Sequence, residues 1–104
     1  MQIQINTDKN VTGNEELIAM STSLISEELS RYSEQITRVE VHLADENGNK
    51  TGFNDKRCTL EARLAGMKPI AVTHHSNTND QAVSGAIGKL KTSLEKITGR
   101  LKNN

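Results

Sequence analysis

Aromatic residues are nearly missing from this sequence, which contains one tyrosine, one phenylalanine and no tryptophan. Proteins that bind single-stranded nucleic acid usually stack the bases on several aromatic side chains. That mode of binding is therefore disfavoured here. The same shortage requires any hydrophobic core to be built from isoleucine, leucine, valine and alanine.

Cysteine and long apolar runs are also scarce. Cys58 is the only cysteine, so no disulfide can form within the chain, which suits a reducing compartment. No apolar run approaches the roughly 18 residues of a membrane-spanning helix, and no signal segment is recognisable. We expect a cytoplasmic protein without a membrane partner. Its 104 residues suffice for one domain, 1–104, with a single modest core.

The chain has no excess of positive or negative charge, because 13 basic residues balance 13 acidic ones. This balance predicts no general affinity for nucleic acid. The charges are nevertheless segregated: residues 12–35 hold five glutamates and one arginine, whereas residues 79–104 hold five basic and two acidic residues. Such segregation is typical of an oriented interaction, but also of two ordinary solvated helix faces.

Two periodicities predict the secondary structure. Alternation of apolar and polar residues predicts strands at 2–7, 36–44, 57–64 and 70–75. Apolar residues spaced by three and four predict helices at 12–32 and 78–101. Each helix begins with a capping-box pair, Thr12 with Glu15 and Thr78 with Gln81.

The same patterns predict which side chains are buried. On the first helix these are Leu17, Ile18, Leu24, Ile25 and Leu29, with Ser21 in the gap. On the second they are Val83, Ala86, Ile87, Leu90, Leu94, Ile97 and Leu101. The inward strand positions are Ile3, Ile5, Val39, Val41, Leu43, Cys58, Leu60, Ala62, Leu64, Ile70 and Val72.

The predicted element order is β-α-β-β-β-α, which defines the fold class. Three consecutive strands joined by short links favour an antiparallel meander. One-sided strands and one-sided helices pack as two layers. We therefore predict an α+β two-layer sandwich, with a mostly antiparallel four-stranded sheet and both helices on one face, as in double-stranded-RNA-binding domains.

Residues that could bind a metal are few. His42, Cys58, His74 and His75 form a conceivable set, but neighbours on a strand point to opposite faces, so His74 and His75 cannot both bind one ion from a regular strand. A structural role for the histidines is favoured, and a metal site at His74 and His75 is the weakest of our hypotheses. On the inward face, Cys58 should behave as a small hydrophobic residue.

No arrangement typical of an enzyme is present. Gly85 and Gly88 lie within the second helix without the Lys-Ser/Thr pair of a phosphate-binding loop. We expect both glycines to thin the helix where another element packs closely. No pair of carboxylates is placed for acid–base chemistry, so neither catalysis nor a cofactor is expected.

A cationic stripe is the clearest candidate site. Lys89, Lys96 and Arg100 are spaced by seven and eleven residues, which places them within about 20° of each other around a helix. Lys91 and Lys102 form a second, thinner stripe. These side chains could contact several phosphates, with strong salt dependence. The simpler interpretation is a solubilising helix face.

The chain resembles the short ribosome hibernation-promoting factors, also described as ribosome-associated inhibitors or sigma-modulation proteins. The resemblance covers the whole element order and is sharpest at 70–102. The residues that carry it are Gln2-Ile3-Gln4-Ile5, the Thr-x-x-Glu helix start, Ala82-Val83, Lys89-Leu90, Ser93-Leu94, Lys96, Arg100 and Lys102. The sequence departs from the family in its acidic first helix and in lacking the aromatic residue of an Asp-x-Tyr motif near Asp80.

The resemblance implies binding to the small ribosomal subunit across the mRNA and tRNA channel, where the protein silences idle ribosomes. It implies rRNA-binding roles for Arg31, Lys89, Lys91, Lys96, Arg100 and Lys102. An alternative is an atypical member whose acidic first helix binds a basic protein partner; Glu27 and Glu28 would belong to that surface. Neither hypothesis involves DNA.

Overall fold

The computed structural model describes residues 1–8, 11, 14–46 and 55–102, with side chains described except at 14 and 98–102. Its elements are β1 Gln2–Thr7, α1 Asn14–Glu28, a 3-10 helix Ser30–Tyr32, β2 Ile36–Asp45, β3 Lys56–Leu64, β4 Ile70–Ser76 and α2 Asn79–Lys102. The predicted order is confirmed, and the last three strands each gain one residue. The predicted cap Thr12 lies outside the described residues.

The sheet has the order β1-β2-β3-β4. β2, β3 and β4 form the predicted antiparallel meander. β1 runs parallel to β2, because α1 carries the chain across one face of the sheet between them. The α+β sandwich with a mostly antiparallel four-stranded sheet is therefore confirmed.

Both helices contribute to one core against the inner face of this sheet. α2 packs on β3 and β4, whereas α1 packs on β1 and against α2. The predicted inward residues of β2 and β3 are buried, together with most of the predicted faces of the helices. Ile70, Val72 and Ile97 are half-buried at the border of the core, and the side chain of Leu101 lies outside the described residues.

The prediction that Ile18 is buried is wrong. Ile18 is 38% exposed, while Ser21 is fully buried. Leu24 lies in the groove between α1 and α2, and Ile18 lies about 120° from Leu24 around the helix. Ile25 and Leu29, however, lie within about 20° of Ile18 around the helix and are fully buried, so the exposure of Ile18 reflects its place near the N-terminal end of α1 rather than the face on which it lies.

Gly85 and Gly88 differ in their surroundings. A Cβ at Gly85 would lie 2.1 Å from Cδ2 of His74, so the missing side chain makes room for the imidazole beneath α2. This confirms the predicted close packing at Gly85. The prediction is wrong for Gly88, because a Cβ there would meet no atom within 4 Å.

A small polar cluster closes the ends of β2 and β3. Nζ of Lys56 lies 2.8 Å from Oδ2 of Asp45 and 3.4 Å from Oδ1 of Asp55, and both carboxylates are buried. The hydrogen bond to Asp45 is the main reason why the pKa of Lys56 is raised. One lysine therefore compensates both buried acids.

Candidate nucleic-acid interface

The interface is built on α2, whose start is fixed by a side-chain cap. Oγ1 of Thr78 accepts a hydrogen bond from the backbone N–H of Gln81 at 3.1 Å, as the capping box predicts. The side chain of Gln81 instead accepts a hydrogen bond from Ser76 Oγ. The buried face of α2 packs on the sheet, so its lysines are directed to the two flanks and the outer surface.

The β4-side flank of α2 carries Lys89 and Lys96. Nζ of Lys89 donates a hydrogen bond to the backbone oxygen of Thr73 at 2.8 Å, which places the ammonium group beside strand β4. Lys96 lies two turns further along the helix, within about 20° of Lys89, and its side chain is exposed. Lys96 makes no ion pair with any residue that the structure describes. The two charges form a short cationic row on a rigid element.

Lys91 lies on the opposite flank of α2, toward α1. Its Nζ lies 2.9 Å from Oε2 of Glu28, and both side chains are only partly exposed, at 34% and 44%. The pair borders a cavity of about 170 Å³ between the helices, which is also lined by Leu24, Ser84, Ile87 and Gly88. The structure therefore separates Lys91 from Lys89 and Lys96 and compensates its charge within the chain.

Arg31 lies in the 3-10 helix that follows α1, next to Tyr32, which lines a cavity together with Leu94 and Ile97 of α2. Its guanidinium group lies over the ring of Tyr32, 5.2 Å from the ring centroid, and its side chain is exposed. Arg100 and Lys102 lie in the last turns of α2, but their side chains are outside the described residues. Of the four predicted residues whose side chains are described, only Lys89 and Lys96 lie on the same flank of α2.

The acidic surface of α1 is partly engaged inside the molecule. Glu15, Glu16, Glu27 and Glu28 are all exposed, but Glu28 is the partner of Lys91. Nothing in these contacts favours the alternative hypothesis, a basic protein partner for α1.

The open face of the sheet holds charges that the sequence analysis did not treat as a group. Arg38 and Arg63 are cross-strand partners, and each forms an ion pair two residues along its own strand, with Glu40 at 3.1 Å and with Glu61 at 3.2 Å. The alternation of the strands showed that these residues point outward. Their juxtaposition depends on the register between β2 and β3, which alternation alone leaves undetermined.

The histidines and the cysteine do not converge. The ring of His74 packs beneath Gly85, whereas Nε2 of His75 lies 2.8 Å from Oε1 of Glu46 on the open face. Cys58 is buried on the inner face, and burial raises the pKa of its thiol to about 12. Among the described residues, no group of three or more His, Cys, Asp or Glu could hold a metal ion.

No helix in the described part of the chain contains an apolar stretch long enough to cross a membrane.

Comparison with known proteins gives one family and one fold. A family model described as Sigma 54 modulation protein / S30EA ribosomal protein matches residues 3–102. A ribosomal subunit interface protein from Coxiella burnetii has a similar structure, with a TM-score of 0.73 and 20% identity over 95% of this chain and 99% of that chain. The Protein Y N-terminal domain from Thermus thermophilus also has a TM-score of 0.73, with 15% identity over 93% and 99%. No curated protein sequence matches the chain significantly.

Proposed function

The chain belongs to the Sigma 54 modulation protein / S30EA ribosomal protein family, and we propose that it is a ribosome-binding translation inhibitor, a hibernation factor. It binds the rRNA of the small subunit, occupies the mRNA and tRNA channel and stabilises idle ribosomes. It acts in the cytoplasm by binding alone, without catalysis or a cofactor. The family match over 3–102 supports the proposal, and so do the similar folds of a ribosomal subunit interface protein and Protein Y.

The observation that carries the RNA contact is the cationic row of Lys89 and Lys96. Both side chains project from one flank of a 24-residue helix that packs on the sheet, so their points of attachment are fixed before RNA arrives. Lys96 makes no ion pair with the described residues and loses none when it meets a phosphate. Arg100 and Lys102 continue the charged end of α2 along the sequence, and we include them in the proposed contact.

Lys91 and Arg31 have a different role in this proposal. Lys91 can contact a phosphate only by giving up Glu28 or sharing it, since the two groups are 2.9 Å apart. Arg31 presents an exposed charge on the 3-10 helix that follows α1 and is not part of the row on α2. We therefore propose that Lys89 and Lys96 contribute most of the affinity, and that Lys91 and Arg31 contribute less.

Co-sedimentation with purified ribosomes at low and moderate salt tests the proposal. We expect binding that weakens with salt, because each phosphate contact releases counterions. Lys96→Glu should abolish most of this binding. Arg63→Glu makes the same change of net charge on the open sheet face and should retain binding, which makes it the matched control. No binding of the native chain at low salt would refute the proposal.

Occupation of the channel needs its own readout. Small subunits loaded with mRNA and tRNA should bind the chain more weakly than vacant subunits, and saturating chain should block tRNA binding. If the chain and tRNA bind the same subunits independently, the proposed location is wrong even though ribosome binding stands.

A further inference from the structure

Strand β1 forms one edge of the sheet and consists of isoleucine, amide and hydroxyl side chains alone. Among the described residues only β2 pairs with it. Its sequence Gln-Ile-Gln-Ile-Asn-Thr contains no charged residue, proline or glycine. Edge strands of soluble proteins are commonly protected from pairing with another chain by lysines, prolines, bulges or a covering element. β1 has none of these in its sequence.

The opposite edge shows the protection that β1 lacks. Nζ of Lys89 donates a hydrogen bond to the backbone oxygen of Thr73 in β4, so a lysine side chain already occupies that strand. β4 also carries His74 and His75. The contrast between the two edges makes β1 the place where an added strand fits.

Uncovered apolar surface lies beside the same edge. Ile3 and Ile5 point toward the helix layer but are only half-buried. Both side chains would become more buried if another strand continued the sheet beyond β1.

We propose that the β1 edge is an interface between two copies of this chain, whose β1 strands pair antiparallel about a two-fold axis at Gln4. This pairing sets Ile3 of one copy opposite Ile5 of the other, and Gln2 opposite Asn6. Paired residues of antiparallel strands point to the same face, so a shift by one residue would place glutamines among isoleucines on the helix side.

The strand's own pattern selects a second copy as the occupant. When two copies of β1 pair antiparallel, isoleucine lies opposite isoleucine and amide lies opposite amide. Because β1 contains no charged residue, no charge is left without a partner. The layers also continue, since two helices about 10 Å apart cover four strands spaced by about 4.8 Å, and a second copy repeats this spacing. This inference does not depend on ribosome binding.

The first experiment places charges at the proposed axis. Sedimentation velocity over a roughly hundredfold range of concentration should show a monomer–dimer equilibrium for the native chain, because a short edge interface is small and its occupancy follows mass action. Gln4→Lys and Gln4→Glu should each be monomeric, because identical charges would face each other. An equimolar mixture should regain the dimer.

Gln4 is suited to this test because its side chain is exposed. It lies opposite Glu40 on β2 and accepts a hydrogen bond from Arg38, so either introduced charge has an opposite charge nearby within its own chain. Circular dichroism checks that both variants are folded. A native chain that stays monomeric throughout, or single variants that dimerise as well as the native chain, would overturn the proposal.

A second experiment tests the geometry directly. Gln4→Cys should form an intermolecular disulfide at least about tenfold faster than Thr92→Cys, which places an exposed cysteine on α2. The buried Cys58 does not compete. Ile3→Ala should weaken the dimer, whereas Met67→Ala, which truncates an apolar side chain that is 44% exposed, should leave it unchanged. Equal crosslinking of the two cysteine variants would exclude this axis.

Discussion

Lys91 and Glu28 join the two helices through an ion pair of 2.9 Å between Nζ and Oε2. The pair ties the acidic first helix to the basic second helix at the groove between them. Because both side chains are partly exposed, we expect the pair to contribute less than about 1 kcal/mol to stability. Its greater effect is on the charge that Lys91 can offer to a phosphate.

Glu28→Gln should therefore increase the affinity for ribosomes at low salt. Removing the carboxylate frees Lys91 for one more phosphate contact, so the slope of log affinity against log salt concentration should become steeper by somewhat less than one. Titration of binding at several salt concentrations measures this slope. Glu16→Gln, an equal loss of charge at an exposed position of α1, is the control and should change the slope less. Equal slopes in the two variants would show that Glu28 does not restrain Lys91.

Gly85→Ala should destabilise the protein even though alanine favours helices over glycine by about 1 kcal/mol. The new Cβ would lie 2.1 Å from the ring of His74, so the imidazole or the helix must move. Overpacking of this kind typically lowers the free energy of unfolding by about 1–3 kcal/mol. Gly88→Ala is the matched control, because its Cβ meets nothing within 4 Å, and it should stabilise. Urea denaturation measures both. His74→Ala should remove the penalty of Gly85→Ala if the contact is its cause.

These residues show how far the sequence determines the structure. Period-two and period-three-to-four patterns located the elements of the described chain, because burial on one side imposes those periods on any strand or helix. The neighbours of a residue depend on another element, as the contrast between Gly85 and Gly88 shows. Ile18 has the spacing of a core residue and lies within about 20° of the buried Ile25 and Leu29, so its exposure depends on its place along the helix, which the period does not indicate.

The arrangement of the candidate site could likewise be predicted only in part from the sequence. The separation of Lys89 and Lys91 around α2 follows from helical geometry and could be predicted. The contacts of Lys91 with Glu28 and of Lys89 with Thr73 join residues 63 and 16 positions apart, and no local pattern indicates them. The pairing of Arg38 with Arg63 likewise depends on strand register.

Thr78→Ala should lower the free energy of unfolding by about 1 kcal/mol, which is within the usual range for loss of a helix N-cap. The hydroxyl of Thr78 accepts the N–H of Gln81, and alanine leaves that donor without the bond. Thermal unfolding measures the change. Thr92→Ala is the control, because Oγ1 of Thr92 donates only to the backbone oxygen of Gly88 within the helix, and alanine is a better helix former. If both variants are equally stable, the cap contributes nothing.

The thiol of Cys58 should be inert in the folded protein and should make stability fall at alkaline pH. Burial raises its pKa from 9.0 to about 12, so between these values the unfolded chain releases a proton that the folded chain keeps. The unfolded state then binds fewer protons, and the free energy of unfolding decreases as pH rises. This group alone should make the protein about 1.4 kcal/mol less stable at pH 10 than at pH 8.

Cys58→Ala isolates this contribution because every other titratable group is the same in both proteins. The variant should be less stable at pH 8, since it leaves a void in the core, but its loss of stability between pH 8 and pH 10 should be smaller. Urea denaturation at both pH values gives the two differences. Native Cys58 should also react with a thiol reagent only as fast as the protein opens. Rapid labelling of the folded protein, or equal pH dependence in the two proteins, would show that the buried thiol is not protected as the structure indicates.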